Sequence, residues 1–282
     1  MIEIQSLGGI ALTDSSGAQV RLRSRKHVGL LLYLAMSHQR LFRREHLTSL
    51  FWTSPPERAR HSLSQAVYDL RTHLDGALIR GPGEQLTIEG RGLTFDAVEF
   101  EAAVKEGRLA KAIELYRGPF AQNLVGAGTG EFDRWVESER LRLQRLAEVA
   151  FRRYTGECES KGRWGEMCVA AMRLTEMTPL DEDAHMCLMR GLWLHGDAAA
   201  ALRHYRTIEQ YLRIELPDGP SGRLEDLADR IRSAPSANPI ESRVAERETP
   251  FLGRDREFDM LRAALHGMGT SRTTAVLVAG EA

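Results

Sequence analysis

The sequence predicts a mainly α-helical chain with small β elements, built from two unlike parts. Three observations carry this expectation. Apolar runs at helical spacing over 28–34, 45–52 and 57–74 follow one another closely, and a glycine-centred hairpin pattern comes directly after them. From Phe95 onward the chain is almost wholly helical in periodicity, with an internal offset of 34 residues. Three helices and a hairpin outline a winged helix-turn-helix, and the second part reads as an all-helical, tetratricopeptide-like domain.

The first elements are short. Ile2 to Leu12 alternates loosely in strand fashion, Asp14-Ser15-Ser16-Gly17 marks a turn, and Val20 to Leu22 reads as a returning strand with Arg21 and Arg23 on its outer side. Arg21, Arg23, Arg25 and Lys26 then stand ahead of Val28, Leu31, Leu32 and Leu34, the stripe of a first helix. A second helix is expected over Glu45 to Trp52, with Trp52 plugging the local core. The following TSPPER, 53–58, carries two prolines that break the helix and present a rigid surface loop.

The third helix carries the most chemistry. In ERARHSLSQAVYDLRTHL, 57–74, Leu63, Ala66, Val67, Leu70 and Leu74 form the apolar stripe. Arg60, Ser64, Gln65, Tyr68 and Arg71 lie toward the other side, with Thr72. Such a face suits the major groove, where arginine donates a bidentate pair to guanine and glutamine pairs with adenine. These five residues are the candidates for reading bases. Arg23, Arg25, Lys26 and Arg43, at helix starts and strand ends, are candidate phosphate clamps. Arg80 and Arg91 flank the expected wing, in which Leu78 and Arg80 lie on one side of Gly81-Pro82-Gly83 and Leu86 and Ile88 on the other. His61 and His73 read as neutral polar groups.

In the second part, a long helix is expected from Glu131 to about Tyr154, with Trp135, Leu141, Leu143, Leu146, Val149 and Phe151 at apolar positions. The 34-residue offset then matches Gly162 with Gly196, Met167 with Ala201, Ala171 with Tyr205 and Leu174 with Ile208. It predicts a helix over 162–177, a turn, a helix over 181–194, and stacking of units that cannot bury their stripes alone. Trp135, Trp164 and Trp193 are expected as core anchors between helices. Residues 233–249, rich in Ser, Pro and charge, read as a linker.

Charge divides along the same line. Residues 1–92 carry 12 Lys/Arg against 8 Asp/Glu, whereas 93–240 carry 20 against 24, as expected of a DNA-facing module joined to one that is not. Cys158, Cys168 and Cys187 lack paired short spacing and read as buried thiols. No metal-ligand cluster or nucleophile, base and acid constellation is recognisable, and Glu131, Asp133, Glu137 and Glu139 look like a solvated helix face. The sequence carries neither a leader pattern nor a run near the ~20 apolar residues of a membrane span, so a cytoplasmic protein without membrane contact is expected.

The order of these pieces resembles that of the SARP/AfsR-type bacterial regulators, in which an OmpR-like winged helix precedes a bacterial transcriptional activator domain. The matching stretches are LGGIAL at 7–12, RSRKHVGLLLYLAM at 23–36, REHLTSLFW at 44–52, RARHSLSQAVYDLRTHL at 58–74 and the hairpin 78–93. Beyond them come FDAVEFEAAV at 95–104, AIELYRGPF at 112–120, EFDRWVESERLRLQRL at 131–146 and GDAAAALRHYRTIEQYLRIEL at 196–216. The resemblance implies a DNA-binding domain over 1–93, an activator domain over 94–232, the linker over 233–249, and over 250–282 the incomplete start of a STAND-type ATPase domain.

It also implies a sequence-specific activator that binds direct repeats of double-stranded DNA, self-associates there and recruits RNA polymerase. Pro55, Pro56, Glu57 and Arg58 would be the polymerase-contact candidates. In the terminal VLVAGEA only Gly280, Glu281 and Ala282 stand where G-x-x-x-x-G-K-[ST] would run, so no cofactor and no enzyme activity are expected here, and ATP only in a longer parent. A second reading stays open: a non-catalytic protein-interaction scaffold built on winged-helix and tetratricopeptide-like modules.

Overall fold

A computed structural model describes residues 2–37, 41–74, 79–80 (backbone alone), 85–88 and 92–234. The expected wing turn at Gly81-Pro82-Gly83, Leu78, Arg91, the side chain of Arg80, the linker beyond residue 234 and the expected ATPase opening at 250–282 lie outside the described residues. Residues 1–232 form one compact unit.

The chain opens with β1 (Ile2–Gln5) and β2 (Ala11–Thr13), paired antiparallel with Ile4 opposite Leu12. Ile2, Ile4 and Leu12 are buried and Glu3 is exposed, the alternation a one-sided sheet requires. The turn at Asp14 is built by its own carboxylate, whose Oδ1 accepts from Ser16 N at 2.8 Å and Ala18 N at 3.1 Å. The return differs from expectation. Only Gln19 bridges Thr13 and only the Val20 amide reaches Leu12, so Val20 to Leu22 is not a strand. The third strand of this sheet is β6 (Leu93–Phe95), which pairs parallel to β1 with Ile4 opposite Phe95. Leu93, at the end of the expected hairpin, and Phe95, expected to open the helical part, instead share a strand, because Phe95 buries against the first sheet.

Helices α1 (Arg25–Met36), α2 (Arg44–Phe51) and α3 (Pro56–His73) form the three-helix unit. Ser24 caps α1 by accepting from the His27 amide, which draws Arg25 and Lys26 into the first turn instead of leaving them ahead of the helix. Pro55 and Pro56 do not make a free loop either. Pro56 occupies the first position of α3, where its missing N–H is no loss, so Glu57 and Arg58 belong to the helix. Trp52 caps the end of α2 half-buried instead of filling the core. A second sheet, in the order β3-β5-β4, joins β3 (Phe42–Arg43), β5 (Gln85–Ile88) and β4 (Ile79–Arg80), with Ile79 opposite Ile88, as the hairpin pattern predicts.

Among the described residues seven helices follow: α4 (Asp96–Lys105), α5 (Leu109–Leu115), α6 (Gly130–Ser160), α7 (Trp164–Met177), α8 (Glu182–Leu194), α9 (Ala198–Glu215) and α10 (Gly222–Ser233). One turn recurs between α4 and α5, α6 and α7, and α8 and α9. The amides of Arg108, Arg163 and Asp197 reach back to the carbonyls of Ala103, Cys158 and Leu192, each across a glycine at positive φ. Only glycine takes that conformation without strain, which explains the Gly162 and Gly196 match across 34 residues. All six partners of the offset, Met167, Ala171, Leu174, Ala201, Tyr205 and Ile208, are buried. The long helix α6 runs past Tyr154 to Ser160, and its Leu141 and Val149 are exposed, contrary to expectation. The three cysteines are buried and unpaired.

The two parts share one apolar core, which runs without a break from Ile2 to Leu188. Phe132, near the start of α6, sits with its ring centroid 4.7 Å from that of Phe51. A Cβ at residue 29 would fall 3.0 Å from Phe132 Cζ and 3.1 Å from Phe51 Cε1, so glycine is what lets the ring reach α1. Beside it, Trp135 packs edge-on against Tyr33 at 4.7 Å. The Thr129 amide and hydroxyl both donate to Leu50 O, at 3.0 and 2.9 Å. On the other side, the buried Asp96 carboxylate accepts from Ser6 N at 2.8 Å, Ser6 Oγ at 2.8 Å and Leu7 N at 2.9 Å. Burial pushes its carboxyl up from the usual range, while those donors pull the other way.

One partly buried polar pair ties α8 to α9. His185 Nε2 donates to Pro179 O at 2.9 Å and its Nδ1 accepts from His204 Nε2 at 3.0 Å, an arrangement that is incompatible with both rings being protonated at once. Burial and then the neighbouring His185 pull His204 down to about 4, and burial also lowers His185, against Pro179 O, Asp181 and Glu182. A histidine with a depressed folded pKa binds more protons unfolded, so its stabilisation is full above the ordinary value of 6.5 and lost as pH falls toward about 4. Unfolding free energy measured by urea titration should therefore fall across that window, and His204→Gln, which keeps a donor for His185, should flatten the fall. Parallel curves for the two proteins would refute the role of the pair.

Candidate nucleic-acid interface

Helix α3 divides cleanly into two faces. Ala59, Leu63, Ala66, Val67 and Leu70 are buried, whereas Arg60, His61, Ser64, Gln65, Tyr68, Arg71 and Thr72 are exposed. Tyr68 is 71% exposed, far from the usual state of a tyrosine in a small domain. The five base-reading candidates thus share one solvent-facing surface. Several are already oriented: Ser64 Oγ donates to Arg60 O at 3.0 Å, Arg44 Nη1 donates to Ser64 Oγ at 3.4 Å, and Gln65 Nε2 lies 3.0 Å from His61 Nε2. Arg60 Nη2 approaches Glu45 Oε1 at 3.8 Å, a loose exposed pair.

The basic residues around α3 fall into different settings. Lys26 Nζ donates to Phe51 O at 2.8 Å and lies 5.7 Å from the Trp52 ring centroid, so it caps α2 at its negative end. Arg25 Nη1 donates to Val125 O at 3.3 Å, across to the segment that leads into α6. Arg43 is exposed at the β3–α2 junction, where its backbone lies opposite Gln85. Arg23 is different: its Nε lies 3.1 Å from Asp69 Oδ1, and its side chain is 75% exposed against 4% for that of Asp69.

Asp69 is the residue that the sequence pattern missed. It lies at the border of the apolar stripe of α3 and is only 3% exposed. His27 Nδ1, from α1, approaches its Oδ2 at 2.6 Å, and His73 Nδ1 lies 3.4 Å from Oδ1 while donating to Asp69 O at 2.8 Å. Three nitrogen-bearing side chains therefore surround one buried carboxylate. A hint was available: Asp69 and His73 stand one helical turn apart, and Asp69 is the acid that interrupts the stripe.

The polymerase-contact candidates Pro55, Pro56, Glu57 and Arg58 are all exposed, in continuity with Thr53 and Ser54. They form the solvent-facing start of α3. Among the described residues no group of three or more His, Cys, Asp or Glu is placed to hold a metal, and no helix is long and apolar enough to cross a membrane.

Comparison with known proteins bears on the second half above all. Residues 90–232 match the family described as bacterial transcriptional activator domain. The fold is similar to that of EmbR from Mycobacterium tuberculosis, solved in complex with a low affinity phosphopeptide, with a TM-score of 0.53 and 22% identity over 86% of this chain and 68% of that one. At that identity the likeness establishes the fold. No curated protein matches the sequence significantly.

Lys26→Met keeps the aliphatic stem over Trp52 and removes the ammonium alone. It should lower unfolding free energy by about 1–2 kcal/mol, since a charged donor on a helix-end carbonyl is lost. An unchanged urea midpoint would show that the ammonium does not cap α2.

Proposed function

The chain belongs to the bacterial transcriptional activator domain family and is a transcriptional regulator of the SARP type, and on that premise we propose that it binds DNA sequence-specifically through α3. The supporting observation is the solvent-facing set Arg60, Ser64, Gln65, Tyr68 and Arg71, backed by a stripe that is wholly buried. In this reading residues 1–93 form the DNA-binding part and 94–232 the activator part, and α3 lies in the major groove with its polar face toward base edges. Arg23 and Arg43, exposed beside it, contact phosphates. Arg80 and Arg91 would do the same from the wing.

Activation follows from the exposed turn at the start of α3. Pro56 fixes the backbone there, so Glu57 and Arg58 are offered to a partner at little further entropic cost. We propose RNA polymerase as that partner, with two copies of the chain side by side on direct repeats of double-stranded DNA.

The test is binding of the full chain to a random-sequence duplex library, followed by titration of the most enriched duplex and a scrambled one of the same composition. Gln65→Ala should weaken the enriched duplex by about tenfold to a hundredfold, the worth of a bidentate base contact, and leave the scrambled one unchanged. Equal losses on both would remove Gln65 from the readout, and no enrichment by the wild type would return the weight to a scaffold role.

A further inference from the structure

The Asp69 carboxylate uses both of its oxygens on side chains from α1 and the segment before it: Oδ2 on His27 and Oδ1 on Arg23. The contact to Arg23 is made through Nε. Among the described residues no acceptor holds the terminal Nη1 and Nη2 of Arg23, which remain on an exposed side chain. The ion pair with the buried carboxylate keeps the guanidinium close to α3, with its terminal donors open to a phosphate oxygen. An arginine held by such an ion pair samples less space than a free surface arginine, and so loses less freedom when it binds.

The position matters as much as the grip. At 3.6 residues per turn, Asp69 lies about 40° round α3 from Gln65, on the edge of the exposed face. Arg23 is therefore held beside the readout face and not on the far side of the domain. Its neighbours Arg25 and Lys26 are engaged by the carbonyls of Val125 and Phe51. Within this stretch Arg23 is the cation so presented.

We infer that Asp69 is a positioning residue for DNA binding, holding Arg23 by an ion pair at the edge of α3 so that its terminal nitrogens meet a backbone phosphate next to the bases that Gln65 reads. This rests on the reading of α3 as the helix that enters the groove. It makes an unusual demand on sign. By charge alone, removing an acid near a polyanion strengthens binding. By positioning, Asp69→Asn weakens it.

The experiment titrates the full wild-type chain, Arg23→Ala, Asp69→Asn and the double variant against the enriched and scrambled duplexes at several salt concentrations. Thermal unfolding of each variant is recorded alongside. Arg23→Ala, whose side chain is exposed and whose removal leaves the core intact, should weaken both duplexes by the same factor and lower the log–log salt slope by about 1. Asp69→Asn should reproduce that loss, and the double variant should be no weaker than Arg23→Ala alone. Arg23→Lys should not rescue, because an ammonium cannot pair with the acid and present a fork as well.

Tighter binding by Asp69→Asn, an unchanged slope for Arg23→Ala, or fully additive losses in the double variant would overturn the inference. If Asp69→Asn unfolds, the slope of Arg23→Ala and the failure of Arg23→Lys still decide it. Loss of enrichment by the wild type would bring down the groove-entering reading itself, and this inference with it. Enrichment by the wild type with an unaltered Arg23→Ala would bring down this inference alone.

Discussion

Phe132 enters a slot that exists because residue 29 has no side chain. Its ring lies against Phe51 of α2 and within reach of the α1 backbone, while its own helix α6 belongs to the activator domain. Burial of one phenylalanine contributes about 2–3 kcal/mol, but the geometric consequence is larger. Tyr33 and Trp135 close on one side, Thr129 donates twice to the end of α2, and Asp96 clasps the first strand from α4. A winged helix of this size has little core of its own, and here it borrows a wall from its neighbour.

The orientation of the exposed α3 face follows from this packing. The helix is held below by Leu63, Ala66, Val67 and Leu70 against α1 and α2, and at its edge by Asp69 against His27 and Arg23. The same α1 that grips Asp69 at one end receives Phe132 at its middle. A shift of α6 would therefore move α1, and with it the footing of α3, because packed interiors transmit displacement instead of absorbing it. The exposed first turn of α3, opened by Pro56, shares that frame.

Much of this was legible in the residues. The three-helix unit, the hairpin strands around Ile79 and Ile88 and the repeat turns at Gly162 and Gly196 follow from periodicity and glycine placement, which are local signals. The split of α3 into a buried stripe and the Arg60-to-Arg71 face was equally local. What escaped was long-range. Leu93 closes the hairpin pattern and Phe95 opens the helical one, but the strand they form pairs with β1, some ninety residues earlier, and no local pattern encodes that. Leu141 and Val149 carry apolar side chains at helical spacing on a helix too long to be covered along its whole length. Asp69 was passed over because a buried acid is readable only once its partners, His27 and Arg23, are known to converge on it.

The winged helix and the first helices of the activator domain, joined by that shared core, form one cooperative structure. Native-state hydrogen exchange of the full chain, followed by mass spectrometry at rising urea, tests it most directly. Amides of α1, α2 and α3 should share their opening free energy with those of α6 and lose protection at the same denaturant concentration. Opening of the three-helix unit at clearly lower urea, with α6 still protected, would show two independent bodies instead.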